Sequence, residues 1–253
     1  MTMTMTTMIR MANEPLVCAI MLTRDRPAMA ARAVESFRRQ TYENKTLLLY
    51  NNGDSDEIEC GCSAEAFHVK ILGTHGLSIG ILRNAANAFR TGYHPNGPDI
   101  IVHWDDDDWS HPDRIADQVA LLQWSGADAV GYREMLFWRD EIKQAWLFTG
   151  ATPNYALGTS LCYWRKTWQR RPFLNETQGV EEKWCADLKV MSVSAMPYHG
   201  KPEHIPVEPR MIASIHGGNT STGYDLERHV AMGSQQWRRV PEWDEYARER
   251  MAL

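Results

Sequence analysis

The sequence predicts an α/β fold, a mostly parallel sheet flanked by helices with a small antiparallel sheet later in the chain. Three observations predict it. Residues 16–22 form an unbroken apolar run, and 45–50 and 99–104 are runs dominated by apolar residues, as in strands buried on both faces. Segments with apolar residues at helical spacing lie between them. The run Ile100 to Trp104 stops abruptly at four consecutive carboxylates, Asp105 to Asp108. That places oxygen ligands at the carboxyl edge of the sheet, where open α/β folds bind their ligands.

Taken in order, Leu16 to Leu22 (LVCAIML) is the first strand, and Thr23-Arg24-Asp25-Arg26-Pro27 turns the chain. Ala30, Ala33, Val34 and Phe37 recur at helical spacing, so Pro27 to Gln40 is a helix with proline near its start. Lys45 to Tyr50 is a second strand, closed by the turn signal Asn51-Asn52-Gly53-Asp54. Phe67 to Leu72 is a third strand, Ser78 to Arg90 a helix and Asp99 to Trp104 a fourth strand. This β-α-β alternation argues for parallel pairing. Beyond the acidic run, Ser110-His111-Pro112-Asp113 has capping-box form, which gives Ser110 and Asp113 a structural duty. It opens a helix to Trp124 with Ile115, Val119 and Leu122 inward. Residues 127–131, 135–138 and 144–148 read as short antiparallel strands, and 156–168 as a loop and strand leading into a basic segment. Residues 180–190 read as a helix, 205–215 as a strand before the polar loop Gly217-Gly218-Asn219-Thr220, and the chain from Tyr224 as helical. With no repeat and no interior linker, residues 15–253 read as one domain. Residues 1–14 read as a disordered tail without the charged start and apolar centre of a signal peptide.

Composition narrows the function classes. Hydrophobic content of 43% and charged content of 23% suit a soluble globular protein and exclude a disordered one. A net charge of −5 supplies no global attraction to nucleic acid or acidic membranes. No apolar run reaches transmembrane length. Five cysteines, an odd number without framework spacing, point to a reducing compartment, the cytoplasm. Cys60 and Cys62 with His68 and His75 match no common zinc-finger spacing.

The acidic run carries the chemistry. Adjacent carboxylates repel unless water or a cation offsets the charge. If the extended backbone persists, Asp105 and Asp107, two apart, point the same way. Mg(II) and Mn(II) take carboxylate oxygens and keep positions open for phosphates. The competing reading is a solvated acidic turn before a helix.

From Leu16 to Ser221 the chain resembles the family 2 glycosyltransferases, which share the GT-A fold. The opening CAIMLTRDRP, a helix, and then LLLYNNGDSD are similar to that family's strand, helix and nucleotide-binding turn. LSIGILRNAANAF is similar to its helix ending in an Arg-Asn pair, here Arg83 and Asn84, and WDDDDWSHPDRI resembles its DXD motif. ALGTSLCYWRKTW looks like the glycine loop before the acceptor region, with Gly158 at the glycine. GVEEKW stands where the family carries its catalytic acidic pair, and RMIASIHGGNTS is similar to the late strand ending in a histidine, here His216.

The resemblance implies inverting transfer from a nucleotide-diphosphate sugar, by family weight a UDP-sugar, to an acceptor hydroxyl. It implies Mn(II) or Mg(II) on Asp107, with Asp105 and His216 as further ligands, and Glu182 as general base with Glu181 the alternative. Thr23, Arg24, Asn51, Asn52, Arg83, Asp105, Asp106 and Gly158 become the nucleotide-sugar candidates. Two departures are visible. Glu stands where the family most often has Asp at the base position, and Asn51 and Asn52 replace acidic residues that hold the nucleotide base in relatives. Neighbouring helical residues point about 100° apart, so Glu181 and Glu182 should not both face the cleft.

Tyr163 to Arg171 (YWRKTWQRR) interleaves aromatic and basic residues, either as a solvated helix face or as a contact for an anionic acceptor. Trp164, Arg165 and Trp184 are the acceptor candidates, and the acceptor classes are a saccharide, a lipid-linked molecule or nucleic acid. Two other functions compete. A sugar nucleotidyltransferase expects a glycine- and basic-rich phosphate loop after the first strand, where only Arg24 and Arg26 stand. A non-catalytic nucleotide- or sugar-binding module of the same fold has no need of the acidic run or the Glu181-Glu182 pair.

Overall fold

The structure, a computed structural model, describes residues 14–54, 66–70, 76–89, 97–196, 208–216 and 234–252. Strands β1 (Val17–Thr23), β2 (Lys45–Asn51), β3 (Ala66–Lys70) and β4 (Ile100–His103) pair in parallel in the order β3-β2-β1-β4. Helix α1 (Pro27–Arg38) links β1 to β2, and α2 (Ile79–Ala88) precedes the return to β4 on the other side of β1. Strand order therefore reverses between β1 and β4, and the loops leaving their carboxyl ends part to form a crevice. Thr23 ends β1 and the acidic run follows β4, so both open into it.

The first four strands match their expected positions because both faces of the sheet are covered. Val17, Ala19 and Met21 of β1 pack on Ala33, Val34 and Phe37 of α1 and on Ile115 and Val119 of α3 (Arg114–Ser125). Cys18 and Ile20 pack the opposite way, with Leu82 and Ala86 of α2. A strand buried on both faces needs no polar alternation, which is why these runs are continuously apolar. Ser78 caps α2, accepting from Ile81 N at 3.2 Å, and α3 ends at Gly126 in the left-handed conformation (φ 57°) that glycine adopts without strain.

The capping box before α3 does not form. Ser110 is drawn into β5 (Trp109–Ser110), where its hydroxyl accepts from Arg114 Nη1 at 2.9 Å, and Asp113 accepts from Thr41 Oγ1 at 2.8 Å. Tertiary partners outbid the local cap.

The later strands depart from expectation in direction and length. Residues 129–139 are one strand, β6 (Ala129–Arg139), with a register shift between Tyr132 and Glu134. Its first half pairs with β8 (Cys162–Trp164) and β9 (Val190–Ser194), and its second half with β7 (Gln144–Thr149) and β10 (Met211–Ile215). Only β7 and β8 run antiparallel to it. These strands join the parallel ones in a single sheet through β8, which pairs antiparallel with β4, rather than forming a separate layer. Helix α4 (Arg165–Arg170) follows β8. The helix expected over 180–190 ends at Cys185 as α5 (Val180–Cys185), because Asp128 captures the Lys189 backbone and delivers Val190 to β9. Near the end, β11 (Trp237–Arg239) pairs with β7 where helix was expected, and α6 (Asp244–Met251) follows.

The tail at 1–13, the 217–220 loop and Cys60, Cys62 and His75 lie outside the described residues. Among those described, no helix is long and apolar enough to cross a membrane. Cys18, Cys162 and Cys185 are buried free thiols whose pKa burial pushes up to about 12, so they act as small apolar side chains.

Candidate active site

The acidic loop is shaped by what lies behind it. Arg114, fully buried, donates through Nη2 to the carbonyls of His103 (2.9 Å) and Thr159 (3.0 Å) and through Nη1 to Ser110 Oγ. One guanidinium thereby pins both ends of the loop. Trp104 lies beneath it, its ring 5.0 Å from that guanidinium and its Nε1 donating to Ala33 O at 3.0 Å. The extended backbone stops at His103 and turns at 106 and 107. Asp105 and Asp107 consequently do not share a direction, and the four carboxylates fan out to different partners, with Arg26 shared by Asp106 and Asp107.

Asp105 Oδ1 lies 3.5 Å from Arg83 Nη2. Asp106 accepts from Thr23 Oγ1 at 2.6 Å and pairs with Arg26 Nη2 at 2.8 Å. Asp107 Oδ2 meets Arg26 Nη1 at 3.0 Å and His216 Nε2 at 2.8 Å. Asp108 accepts from Thr159 Oγ1 and from Ser214 N, the latter at 3.0 Å. Burial is the leading cause that pushes Asp105, Asp106 and Asp108 above the usual carboxylate range, Asp106 to about 7. The charge on Asp107 contributes to the rise in all three, against the pull of Arg83 on Asp105 and Arg26 on Asp106. A site that holds its carboxylates against such a penalty is one a cation relieves. Carboxylate oxygen and imidazole nitrogen meeting at Asp107 and His216 fit a divalent ion with positions left open.

Across the cavity stand the two glutamates. Glu181 Oε1 accepts from Arg83 Nε at 2.7 Å, and Arg83 is itself buried with Nη1 left without a protein partner among the described residues. Gly158 makes room for this pair, since a Cβ there would sit 2.7 Å from the Glu181 carboxyl carbon. Its carbonyl accepts from His103 Nδ1 at 2.7 Å, and burial holds that imidazole well below its ordinary pKa and so neutral. Glu182 is exposed and makes no hydrogen bond or ion pair among the described residues. Both glutamates line the cavity, contrary to the 100° argument, because the first turn of α5 meets it end-on, with Thr177, Gln178 and Gly179 lining it too and Val180 turned into the core.

The cavity, about 500 Å³, is lined by Asp105 to Asp108, Arg26, Arg83, Gly158, Glu181 and Glu182 together. Several candidates are not brought to it. Arg24 is exposed beside Asp25, 3.9 Å away. Asn51 is fully buried and spends its side-chain oxygen on Gly53 N (2.9 Å), while Asn52 N donates to Thr23 O (3.0 Å), so both shape the turn after β2. Asn84 accepts from Trp168 Nε1 and Phe173 N and donates to Phe173 O, so it holds the Phe173 segment. Of the acceptor candidates, Trp184 is core, 4.8 Å from Tyr163 and 4.7 Å from Phe173 between ring centroids. Arg165 is buried against Gly97, and Trp164 packs on the core under Lys166.

Sequence reasoning missed three contributors. Arg26 reaches the carboxylates where Arg24 does not, and their common turn was the only signal. Thr159 orients Asp108. An aromatic wall of Phe137, Phe148, Tyr155 and Trp237 closes the far side, with Trp237 4.9 Å from each phenylalanine ring. Burial first, and then the charges of Glu182 and Glu181, together raise the Tyr155 pKa to about 12, so its hydroxyl stays protonated.

Comparison with known proteins bears on the fold and the family. The description Glycosyl transferase family 2 matches residues 18–176. The mannosyltransferase PcManGT from Pyrobaculum calidifontis, solved with GDP-Man and Mn2+, is 12% identical with a TM-score of 0.59, covering 96% of this chain and 71% of that one. S. aureus TarS 1-349, solved with UDP-GlcNAc, is 11% identical with a TM-score of 0.58, covering 81% of this chain. This chain spans 60% of that TarS structure. A mycobacterial protein is 17% identical with a TM-score of 0.52, covering 77% of this chain and 70% of that one. At these identities the likeness is one of fold. No curated protein matches the sequence. With the family description matched over more than half its length, from β1 to the approach to α5, the chain belongs to the family 2 glycosyltransferases.

Proposed function

We propose that the chain is a divalent-metal-dependent, inverting glycosyltransferase moving a sugar from a nucleotide-diphosphate sugar to an acceptor hydroxyl. The observation that carries the reading is the single cavity with four aspartates on one side and Glu181 and Glu182 on the other. The neighbours' ligands, UDP-GlcNAc and GDP-Man with Mn2+, support a nucleotide sugar as donor class, with UDP the first base to test.

In this reading Asp107 and His216 hold the divalent ion, which when bound neutralises charge on the departing diphosphate. Arg83 Nη1, buried and without a partner among the described residues, donates to a phosphate oxygen. Glu181 keeps Arg83 in place, and Gly158 allows the two to meet. Glu182, a cavity carboxylate without a partner among the described residues, takes the proton from the attacking hydroxyl. One free base facing the acidic loop suits direct displacement, which inverts the anomeric centre. The acceptor lies against Phe148, Tyr155 and Trp237, whose flat apolar faces end at the Tyr155 hydroxyl and the glutamates. Arg24 outside the cavity leaves Arg26 as the only basic residue its turn supplies there, which disfavours the nucleotidyltransferase reading.

Thermal shift with a panel of UDP- and GDP-sugars tests this. At a hundred times Kd a ligand stabilises by about 2.7 kcal/mol, which for a chain this long is roughly 5 to 10 °C. The expected rise appears with one donor class and only with Mn(II) present. An equal rise in EDTA would remove the metal from the mechanism, and no rise with any sugar would remove the donor.

A further inference from the structure

We propose that Arg26 is the site's internal counter-cation: it occupies the metal ligands in the metal-free protein, swings away as a divalent ion binds, and so lowers the metal affinity. The inference rests on the reading that Asp107 and His216 hold the ion.

The geometry is specific. Arg26 spans two carboxylates, Nη2 to Asp106 Oδ1 at 2.8 Å and Nη1 to Asp107 Oδ2 at 3.0 Å, and Nη1 lies 3.5 Å from His216 Nε2. The guanidinium therefore touches both atoms assigned to the ion. A divalent ion sits about 2.1 Å from a carboxylate oxygen, so one bound to Asp107 Oδ2 would lie within about 5 Å of Nη1 where it now stands. Two positive centres so close repel each other, so the ion binds more weakly while the guanidinium stays on its ligands.

Arg26 is built to be the one that moves. Its backbone is fixed between the end of β1 and Pro27, the first residue of α1, but its side chain is 29% exposed and borders the open cavity. Arg83, the other guanidinium lining the cavity, cannot play this part: its side chain is 6% exposed and its Nε is tied to Glu181. Arg114 is committed to backbone carbonyls behind the loop. The opposite possibility is that Arg26 is a strut holding Asp106 and Asp107 in position for the ion. The two roles predict opposite signs for one measurement.

That measurement is Mn(II) affinity, read from the resonance of free Mn(II) in titrations of the full chain, alongside metal-free melting temperature. Arg26→Gln is expected to bind Mn(II) roughly ten times more tightly than the wild type. Its metal-free melting temperature should be lower, and saturating Mn(II) should close the gap. Arg26→Lys keeps the charge, and with it the fold, but a point charge cannot span both carboxylates, so about threefold tighter binding is expected. If Arg26→Gln does not fold, the lysine variant decides by the same sign. Equal or weaker Mn(II) binding by a folded variant, with a wild type that binds, overturns the inference and leaves the metal reading standing. Binding by the variants alone upholds the inference and removes metal dependence from the wild type. Binding by none removes both.

Discussion

Glu182→Gln is expected to leave donor binding intact and to slow sugar transfer by roughly a hundred- to ten-thousand-fold, about 3 to 5 kcal/mol of barrier. The amide keeps the size and hydrogen-bonding reach of the carboxylate but cannot take the acceptor's proton. Because Glu182 is exposed and engages no protein partner among the described residues, its melting temperature should not move. Glu181→Gln should show the reverse pattern. Its carboxylate neutralises Arg83, a nearly buried cation, and weakening a buried pair of this kind costs roughly 3 kcal/mol of stability. Transfer at saturating donor should fall far less than in Glu182→Gln. Single-turnover rates with donor affinity measured separately, and melting curves for both variants, separate the two roles. A dead Glu181→Gln beside an active Glu182→Gln would exchange the assignments, and normal transfer by both would place the base elsewhere.

Asp107→Ala is expected to lower Mn(II) affinity by at least about a hundredfold and to abolish Mn(II)-dependent donor binding, with the fold retained. Asp107 Oδ2 lies 2.8 Å from His216 Nε2, so its loss removes this meeting point of oxygen and nitrogen ligands. The fold survives because Arg26 keeps Asp106 at 2.8 Å and because one of four mutually repelling charges is gone. Asp106→Ala is the control. Its side chain is spent on Thr23 and Arg26, so Mn(II) affinity should change little compared with Asp107→Ala. Calorimetry showing Mn(II)-dependent donor binding unchanged in Asp107→Ala would sink the assignment.

Much of this architecture was legible in the sequence alone. Strands buried on both faces announce themselves as unbroken apolar runs, and a carboxylate cluster straight after such a run can only emerge at the sheet's carboxyl edge. β1, β2, β4, α1 and the position of the acidic loop follow from that local pattern. What local pattern does not contain is partner choice across long separations. Ser110 and Asp113 spell a cap, yet Ser36 and Thr41, more than 70 residues back, claimed the Ser110 backbone and the Asp113 side chain. Arg24 and Arg26 are indistinguishable in sequence, and only the meeting of Arg26 with His216, 190 residues away, separates a solvated arginine from one inside the site. Trp184 and Arg165 have the composition of a binding surface, but the packing of α5 on Tyr163 and Phe173 put the first in the core. Periodicity tells a residue which way to face. Which groups it faces is decided when distant segments compete for the same buried hydrogen bonds and charges, and only the tertiary structure settles that competition.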